Sequence, residues 1–398
     1  MSKEIYISGL GVISAIGNNV ETNFDALSKQ KSGISSIDIL KTNHKNDFKL
    51  GEIKLTNEQL LDLLELQYSD FKFYTRTSLF GCIAAKEAIK NSGLDLNDTN
   101  FKTALISATT VGGMDKTELQ VNTETAELDF ILTHPCGDST NKICNYIGHK
   151  GYRTTLSTAC SSSTNAIIHG INLINHGIVD RAIVGGVDAL SKFTLNGFNS
   201  LMILDKDYCK PFDENRNGLN LGEGAGFIVI ETEKSIKSRA KTPICKISGY
   251  ANANDAYHQT ASSPEGEGAF KAMSTAIKMS KLQLSEIDYI NAHGTGTNNN
   301  DMSEGVALKR IFADKLPKFS STKAFTGHTL GAAAGIEAVF SILALQKSVV
   351  YPNLNFKTPI SELNIIPQTE FEEVQVKNVL SNSFGFGGNN SSIIFSKL

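Results

Sequence analysis

Three short segments of the chain carry residues that could do chemistry together. Cys160 stands among small residues in 157–163, and His293 and His328 each stand in a glycine-rich turn further along the chain. A thiolate attacks thioester carbonyls, and a neutral imidazole can donate a hydrogen bond to a thioester oxygen or to a forming enolate. One candidate nucleophile and two candidate donors predict acyl transfer through a thioester, followed by carbon–carbon bond formation.

The sequence around Cys160 is typical of an exposed nucleophile. Residues 154–159 predict a strand before it, and small residues open a predicted helix, 162–176, after it. A helix N-terminus favours the thiolate, so this strand–turn–helix elbow predicts a lowered thiol pKa. The other five cysteines lack such a turn, and we expect them to be small buried side chains.

The two histidines and one lysine are expected at element ends. His293 closes a predicted strand, which is where α/β proteins place catalytic groups. His328 precedes a predicted helix, 332–345, and Lys323 lies five residues before it, where a positive charge would tune the site.

Two further glycine-rich loops have different expected roles. The loop 381–390 precedes the last predicted strand and could supply one backbone oxyanion donor, with the N–H of Cys160 supplying the other. The loop 222–226 precedes a strand instead of following one, so it does not predict a dinucleotide site.

The elements that must position these segments alternate between short apolar strands and longer helical patterns, which predicts an α/β fold. Residues 244–250 resemble residues 4–10, and the predicted strand before His293 stands in the second half much as 103–109 stands in the first. These echoes predict two similar α/β halves, 1–242 and 243–398, joined at a charged stretch.

Length and composition exclude several classes of protein. The chain has 398 residues, a formal net charge of −3 and six cysteines without a CxxC pair. We therefore expect a reduced, cytoplasmic globular protein with no metal-ligand spacing, no nucleic-acid partner and no membrane partner. A signal peptide is not expected, and the longest apolar run, 336–345, is too short to cross a bilayer.

With these residues in place, the chain resembles the β-ketoacyl-acyl carrier protein synthases of the elongating type, ketosynthase I/II, in the thiolase-like superfamily. The resemblance covers nearly the whole chain, and its motifs occur in order and near the expected spacing. They are 158–162, 293–297, Lys323 with 327–328, and 382–388. The resemblance implies a thiolase-like fold with a five-layered α-β-α-β-α core, a homodimer and no cofactor.

The resemblance also implies a ping-pong reaction. An acyl carrier protein would deliver an acyl group to Cys160, and malonyl carrier protein would then lose CO2. His293 and His328 would stabilise the enolate that attacks the thioester. Lys323 would assist His328, and Phe386 would act as a gate and as the second oxyanion-hole donor.

Binding residues follow from the same resemblance. Asn291, Glu337, Ser381 and Asn382 match a cluster associated with a monovalent cation in some members. The resemblance does not give the contacts to the carrier protein, for which Lys72, Arg76 and Lys210 are only guesses. The expected substrate-binding residues are Val111, Phe193, Phe198, Thr295, Thr297 and Phe384.

Three positions depart from the commoner pattern of the family. Asn298 replaces a usual proline, Asn389 replaces a usual threonine, and Lys210 stands where arginine is frequent. None of these changes removes a catalytic group. They leave a specialised polyene or polyketide pathway as open as fatty-acid synthesis.

Other functions remain open at the level of sequence. The chain could be the active subunit of a heterodimer of a ketosynthase and a chain-length factor. A thiolase using coenzyme A is less favoured, because thiolases use a second cysteine near the C-terminus and this chain has no cysteine after Cys245. A non-catalytic ketosynthase-like subunit would not need Cys160, and a cysteine hydrolase would not explain Lys323 or a second histidine.

Overall fold

The computed structural model describes residues 3–67, 69, 72, 74–121, 123 and 129–398. Within them, strands and helices alternate as the apolar patterns predict. The strands are β1 (Ile5–Ser14), β2 (Thr103–Ala108), β3 (Tyr152–Leu156), β4 (Arg181–Asp188), β5 (Gly224–Glu231), β6 (Cys245–Asn254), β7 (Tyr289–Asn291), β8 (Lys318–Ser320), β9 (Val349–Val350), β10 (Glu372–Glu373), β11 (Asn378–Phe384) and β12 (Asn389–Ser396).

Ten of these strands form one mixed sheet in the order β3-β2-β4-β5-β1-β6-β12-β11-β7-β8. The two halves meet where β1 pairs antiparallel with β6, Ile5 opposite Ile247. The order in one half repeats that in the other when β1 is matched with β6 and β2 with β7. The prediction of two similar α/β halves is therefore confirmed, while their exact boundary at 242/243 stays a prediction.

The helices cover both faces of each half of the sheet. They are α1 (Val20–Ser28), α2 (Asn57–Leu64), α3 (Arg76–Ser92), α4 (Met114–Gln120), α5 (Asp129–Thr133), α6 (Cys136–Tyr146), α7 (Ser162–Asn175), α8 (Lys192–Ser200), α9 (Glu233–Lys237), α10 (Glu267–Ser280), α11 (Asn298–Phe312), α12 (Lys323–Thr326) and α13 (Ala333–Lys347).

The packing of these helices gives the five layers expected of a thiolase-like fold. Helices α7 and α13 lie between the two halves, because each contacts strands of both. Helix α3 covers the outer face of the first half, and α10 covers that of the second. The two helices that begin after the turns of Cys160 and His328 are thus at the centre of the molecule.

Helix α13 is apolar on all sides, which is typical of a helix in the middle of a large protein. The stretch Leu330–Lys347 is long and apolar enough to cross a membrane by length and composition, but 89% of it is buried inside the protein. It packs against strands of both halves, so its apolar character belongs to the core.

Candidate active site

A strained turn holds Cys160 at the start of α7. The chain leaves β3 at Leu156, and Ala159 then takes a φ of 52°, a left-handed conformation that residues other than glycine rarely adopt. The N–H of Ser162 donates to the carbonyl of Ala159 and closes the turn. The site thus has the predicted strand–turn–helix form, with Cys160 only 7% exposed at its tip.

Both candidate histidines lie beside this cysteine. His328 Nε2 is 3.1 Å from Cys160 Sγ. The rings of His293 and His328 lie edge to face with their centroids 5.4 Å apart. The structure therefore brings together the three segments that the sequence singled out, although 168 residues separate Cys160 from His328.

The hydrogen bonds of each imidazole show which nitrogen carries the proton. The N–H of Leu330 donates to His328 Nδ1 over 3.1 Å, and Lys323 Nζ lies 3.2 Å from His293 Nδ1. An ammonium can only donate, so both Nδ1 atoms are acceptors and each Nε2 bears the hydrogen. Both rings present an Nε2–H donor, which suits binding an oxygen better than ligating a metal or taking up a proton.

Burial keeps both imidazoles neutral. Desolvation lowers the pKa of His293 and of His328 well below 6.5, and the charge of Lys323 lowers both further. A neutral imidazole can donate its Nε2–H to the oxygen of a developing enolate without transferring the proton to it. Both rings thus stay in the form that the proposed chemistry needs across the neutral pH range.

Lys323 is almost fully buried and ties His293 to an acidic partner. Its ammonium donates to His293 O over 2.6 Å and to Glu337 Oε1 over 2.5 Å. The resemblance implies that Lys323 assists His328. In the structure its hydrogen bonds run to His293, and it acts on His328 through its charge. Removing one partner of such a buried ion pair costs about 3–5 kcal/mol of stability.

The thiol of Cys160 differs from its sequence-based expectation. Burial raises its pKa to about 11, although the charge of Lys323 and the backbone N–H groups of Phe386 and Cys160 oppose this shift. The predicted lowering is wrong, because loss of water around the sulfur outweighs the donors at the helix start. The Cys160 side chain is therefore a neutral thiol near neutral pH.

This raised pKa predicts the pH profile of alkylation. The groups that act on the sulfur are His328, Lys323 and Glu337, and a thiol below its pKa gains thiolate about tenfold per pH unit. We expect the rate of Cys160 alkylation by iodoacetamide to rise without a plateau from about pH 7 to about pH 10. Mass spectrometry of the Cys160 peptide measures this rate, and a plateau near neutral pH would contradict it.

The gate loop, residues 385–388, carries the candidate gate residue Phe386 and reaches Cys160 from the other half of the molecule. The backbone N–H groups of Phe386 and Cys160 both lower the pKa of the thiol, so both lie close enough to the sulfur to be the candidate oxyanion donors that the sequence predicts. A side chain at Gly385 would meet the nitrogen of Cys160 at 3.2 Å. Glycine at this position therefore permits the loop to approach the elbow closely.

Two cavities meet at Cys160 and share the side chains of Phe198 and Phe386. These two rings stack with centroids 5.9 Å apart and planes 16° apart. One cavity contains both histidines together with Thr295, Thr297 and Phe384. The other is lined by Val111 and Phe193, which is 58% exposed. Every substrate-binding residue expected from the sequence therefore lines one cavity or the other.

Two buried carboxylates that the sequence analysis missed hold the histidine turns. Glu304 accepts hydrogen bonds from the backbone N–H groups of His293 and Gly294, and burial raises its pKa to about 7. Asp188 accepts from Gly331 N–H and from Thr110 Oγ1. It therefore joins the turn after His328 to the expected acyl-pocket turn, residues 109–113, which carries Val111. The position of Asp188 at the end of β4 is the one sequence signal that could have indicated it.

The expected cation cluster fits the structure in part. Asn291 Oδ1 and Glu337 Oε2 are buried and have no hydrogen-bond partner among the described residues. Ser381 pairs with Asn291 across β11 and β7. The side chain of Asn382 is engaged elsewhere, because it donates to Glu304 and accepts from Ser392. Hard cations prefer oxygen ligands, so Asn291 and Glu337 are the residues that would hold one.

One of the expected carrier contacts is wrong. Arg76 is 6% exposed and donates to Glu223 through Nε and Nη2, so it cannot meet a partner at the surface. The pair fastens α3 to the loop before β5, and that loop in turn hydrogen-bonds to His328 O through Gly222. Lys72 is exposed and Lys210 half-buried, and both stay predictions.

A buried thiol beside two Nε2–H donors, held between two similar α/β halves, is the arrangement expected of a condensing acyltransferase. Residues 2–235 match the beta-ketoacyl synthase N-terminal domain, and residues 244–357 match the C-terminal domain. The chain belongs to the beta-ketoacyl synthase family.

Individual relatives agree with this assignment over the full length of the chain. The chain is 35% identical to 3-oxoacyl-[acyl-carrier-protein] synthase 2 of Staphylococcus aureus strain N315, covering 100% of the chain and 99% of the relative. It is 31% identical to the protein of the same name from Coxiella burnetii, with the same coverage.

Among solved structures, the ishigamide ketosynthase/chain length factor superimposes with a TM-score of 0.93 at 27% identity and covers 100% of both chains. A ketosynthase of Xenorhabdus doucetiae, solved in complex with its chain length factor, gives a TM-score of 0.87 at 30% identity, covering 100% of this chain and 98% of that one.

Proposed function

We propose that the chain is a β-ketoacyl-acyl carrier protein synthase, which joins malonyl carrier protein to an acyl group held as a thioester on Cys160. The observation that carries the proposal is the pair of neutral Nε2–H donors, one of them 3.1 Å from the sulfur. A hydrolase needs one histidine as a base, whereas two donors suit an enolate oxygen. The names of the relatives support carrier-bound substrates over coenzyme A.

The first half-reaction loads the nucleophile. Cys160 Sγ attacks the carbonyl of an acyl carrier thioester, and the N–H groups of Cys160 and Phe386 stabilise the oxyanion. The carbon–sulfur bond to the carrier then breaks, and the thiol proton leaves with the carrier sulfur. For the acyl chain to lie in the cavity beside Val111, Phe386 must shift away from Phe198, because their stacked rings stand where the two cavities meet.

The second half-reaction forms the carbon–carbon bond. Malonyl carrier protein loses CO2, and the Nε2–H groups of His293 and His328 hold the thioester oxygen as it becomes an enolate. The enolate carbon attacks the acyl carbonyl, the bond to Cys160 breaks, and the sulfur takes up one proton from water. The products are CO2, the 3-oxoacyl carrier protein and the free thiol.

The partner and location of the chain are also proposed. Strand β3 ends the sheet, its outer edge has no neighbouring strand in the described chain, and Tyr152 on it is 42% exposed, which supports pairing with a second copy. A chain length factor is the alternative partner. All six cysteines are free thiols, which supports a cytoplasmic location.

The proposal is tested by the complete reaction. Purified protein, an acyl carrier protein and carbon-14-labelled malonyl carrier protein should give labelled CO2 and a 3-oxoacyl carrier product in equal amounts. The same acyl group and an acetyl group, both on coenzyme A, form the comparison, because a thiolase would join these two without releasing CO2. Condensation that occurs only when a chain length factor is added would support the heterodimer instead.

Val111 offers a test of the acyl cavity. It lines the cavity beyond the stacked phenylalanines, so Val111→Phe should shorten the space for an acyl tail. We expect kcat/KM for long acyl carriers to fall by about tenfold or more, while that for a two- or four-carbon acyl group changes little. A panel of acyl chain lengths measures this, and an equal loss for all lengths would place the acyl tail elsewhere.

A further inference from the structure

Asn389 connects the gate loop to the nucleophile elbow. It lies directly after the loop 385–388, and its Oδ1 accepts three hydrogen bonds. The donors are Asn165 Nδ2 at 2.8 Å, Asn252 Nδ2 at 2.8 Å and Ser161 Oγ at 2.6 Å, whose single proton is shared between Asn389 Oδ1 and the carbonyl of Thr158 at 2.7 Å. Ser161 follows the nucleophile in the chain, so one side chain spans the two segments that form the oxyanion hole.

The same residue also closes the gate loop on itself. The N–H of Gly385 donates to the carbonyl of Asn389 over 2.8 Å, so Phe386 lies inside a short loop whose base is Asn389. Gly387 and Gly388 take φ values of 79° and 78°, a left-handed conformation that glycine adopts readily. The N–H of Gly387 donates to the carbonyl of Gln259, and the N–H of Asp255 donates to the carbonyl of Gly388, each over 2.7 Å. Asn389 therefore fastens the base of the loop to the elbow, while Gln259 and Asp255 hold its tip.

The surrounding hydrogen bonds make Asn389 part of a network across four elements. Asn165 Oδ1 on α7 accepts from Asn252 on β6 and from Ser391 Oγ on β12. Asn165 Nδ2 also donates to Thr158 Oγ1 in the elbow. A network with most of its donors and acceptors satisfied specifies one geometry more firmly than a single bond does.

The geometry matters because the two oxyanion donors come from distant parts of the chain. The N–H of Cys160 belongs to the elbow, and the N–H of Phe386 belongs to the gate loop. Their separation depends on the contacts between these segments, and catalysis is sensitive to small displacements of such donors. Asn389 follows Phe386 by three residues in the chain, and its side chain hydrogen-bonds to Ser161, the residue after Cys160.

We infer that Asn389 is a positioning residue, which sets the distance between the two oxyanion donors by fastening the gate loop to the elbow. The inference rests on the proposed function. Threonine, the usual residue here by resemblance, has a shorter and branched side chain whose hydroxyl cannot reach as far as Oδ1. The brace formed by Asn389, Asn165 and Asn252 is therefore a property of this chain.

The test uses Asn389→Ala, with Asn389→Thr as the conservative variant. The readout is the infrared carbonyl band of a carbon-13-labelled acyl group on Cys160, which moves to higher frequency when oxyanion donors withdraw. In Asn389→Ala we expect this upward shift and a fall in kcat of about tenfold or more, with KM for malonyl carrier protein within about twofold. Asn389→Thr should give a smaller shift.

Ser396→Ala is the matched control. Its Oγ bonds to Ser248 Oγ over 2.7 Å and links the same two strands, β6 and β12, far from the elbow. It should lower thermal stability without moving the carbonyl band. An unmoved band in Asn389→Ala, or the same shift in Ser396→Ala, would overturn the inference.

If Asn389→Ala does not fold, Ser161→Ala removes one of the three bonds from the side of the elbow and should reproduce part of the band shift. An unmoved band in that variant would equally overturn the inference. Failure of the proposed function is a separate result, because the wild-type protein would then form no acyl adduct on Cys160 at all.

Discussion

Cys160→Ala is expected to abolish the acyl-enzyme and to lower the rate of condensation by at least about 10³-fold, because no other group can carry the thioester. Cys160→Gln should also fail to condense. Its side-chain amide resembles the thioester in shape and can occupy the oxyanion donors of Cys160 and Phe386. The Nε2–H groups of His293 and His328 remain, so release of CO2 from malonyl carrier protein should continue.

Intact-protein mass after incubation with a panel of acyl carrier proteins measures the first expectation, and CO2 release measures the second. Cys136→Ala is the control, since Cys136 is the most exposed of the other thiols and lies near the acyl-pocket turn. It should keep both the adduct and condensation. Acylation of the Cys160→Ala protein would sink the assignment of the nucleophile.

The preferred acyl group in this panel also distinguishes the pathways. A saturated chain of common length would indicate fatty-acid synthesis, and an unsaturated or oxidised chain would indicate a polyene or polyketide pathway. If the folded protein takes no acyl group from any carrier, the chain requires a partner subunit or a coenzyme A substrate.

Local patterns predicted the elements and the identity of the reactive groups. The apolar run of β2 and the glycine that ends α3 are signals contained in short windows of sequence. The same holds for the elbow at Cys160, whose small residues and following helix are contiguous. Such features depend on near neighbours in the chain, so the sequence alone indicates them.

Properties that depend on distant parts of the chain were missed or predicted wrongly. The pKa of the Cys160 thiol depends on how completely the second half of the molecule buries the sulfur. The helix N-terminus alone predicted a lowered pKa, whereas burial raises it. Arg76 has the sequence context of a surface cation, but it pairs with Glu223, 147 residues away. Glu304 looks like an ordinary polar residue until the fold shows that it accepts from the backbone N–H groups of His293 and Gly294. The side-chain partners of Asn389 likewise lie on distant segments of the chain.

His293→Ala is expected to separate the two half-reactions. No described hydrogen bond joins His293 to the sulfur, so Cys160 should still accept an acyl group in this variant. Loss of one donor to the enolate should slow CO2 release and condensation by about 10²–10³-fold. His328→Ala should slow both half-reactions, because His328 Nε2 bonds directly to Cys160 Sγ.

Mass spectrometry of the acyl adduct and CO2 release, measured on the same samples, distinguish these effects. His293→Asn keeps an N–H donor and should recover part of the lost rate, and exposed His176→Ala is the control. Equal loss of acylation in both alanine variants would show that the rings do not divide their roles as the contacts indicate.

A variant that combines His293→Ala with His328→Ala tests whether the two Nε2–H groups bind the same enolate oxygen. If both Nε2–H groups bind one enolate oxygen, removing the second donor costs less than removing the first, and the rate losses of His293→Ala and His328→Ala do not multiply. Full multiplication would mean that the rings bind different atoms of the substrate. The edge-to-face rings, with centroids 5.4 Å apart and both protons on Nε2, favour a single shared oxygen.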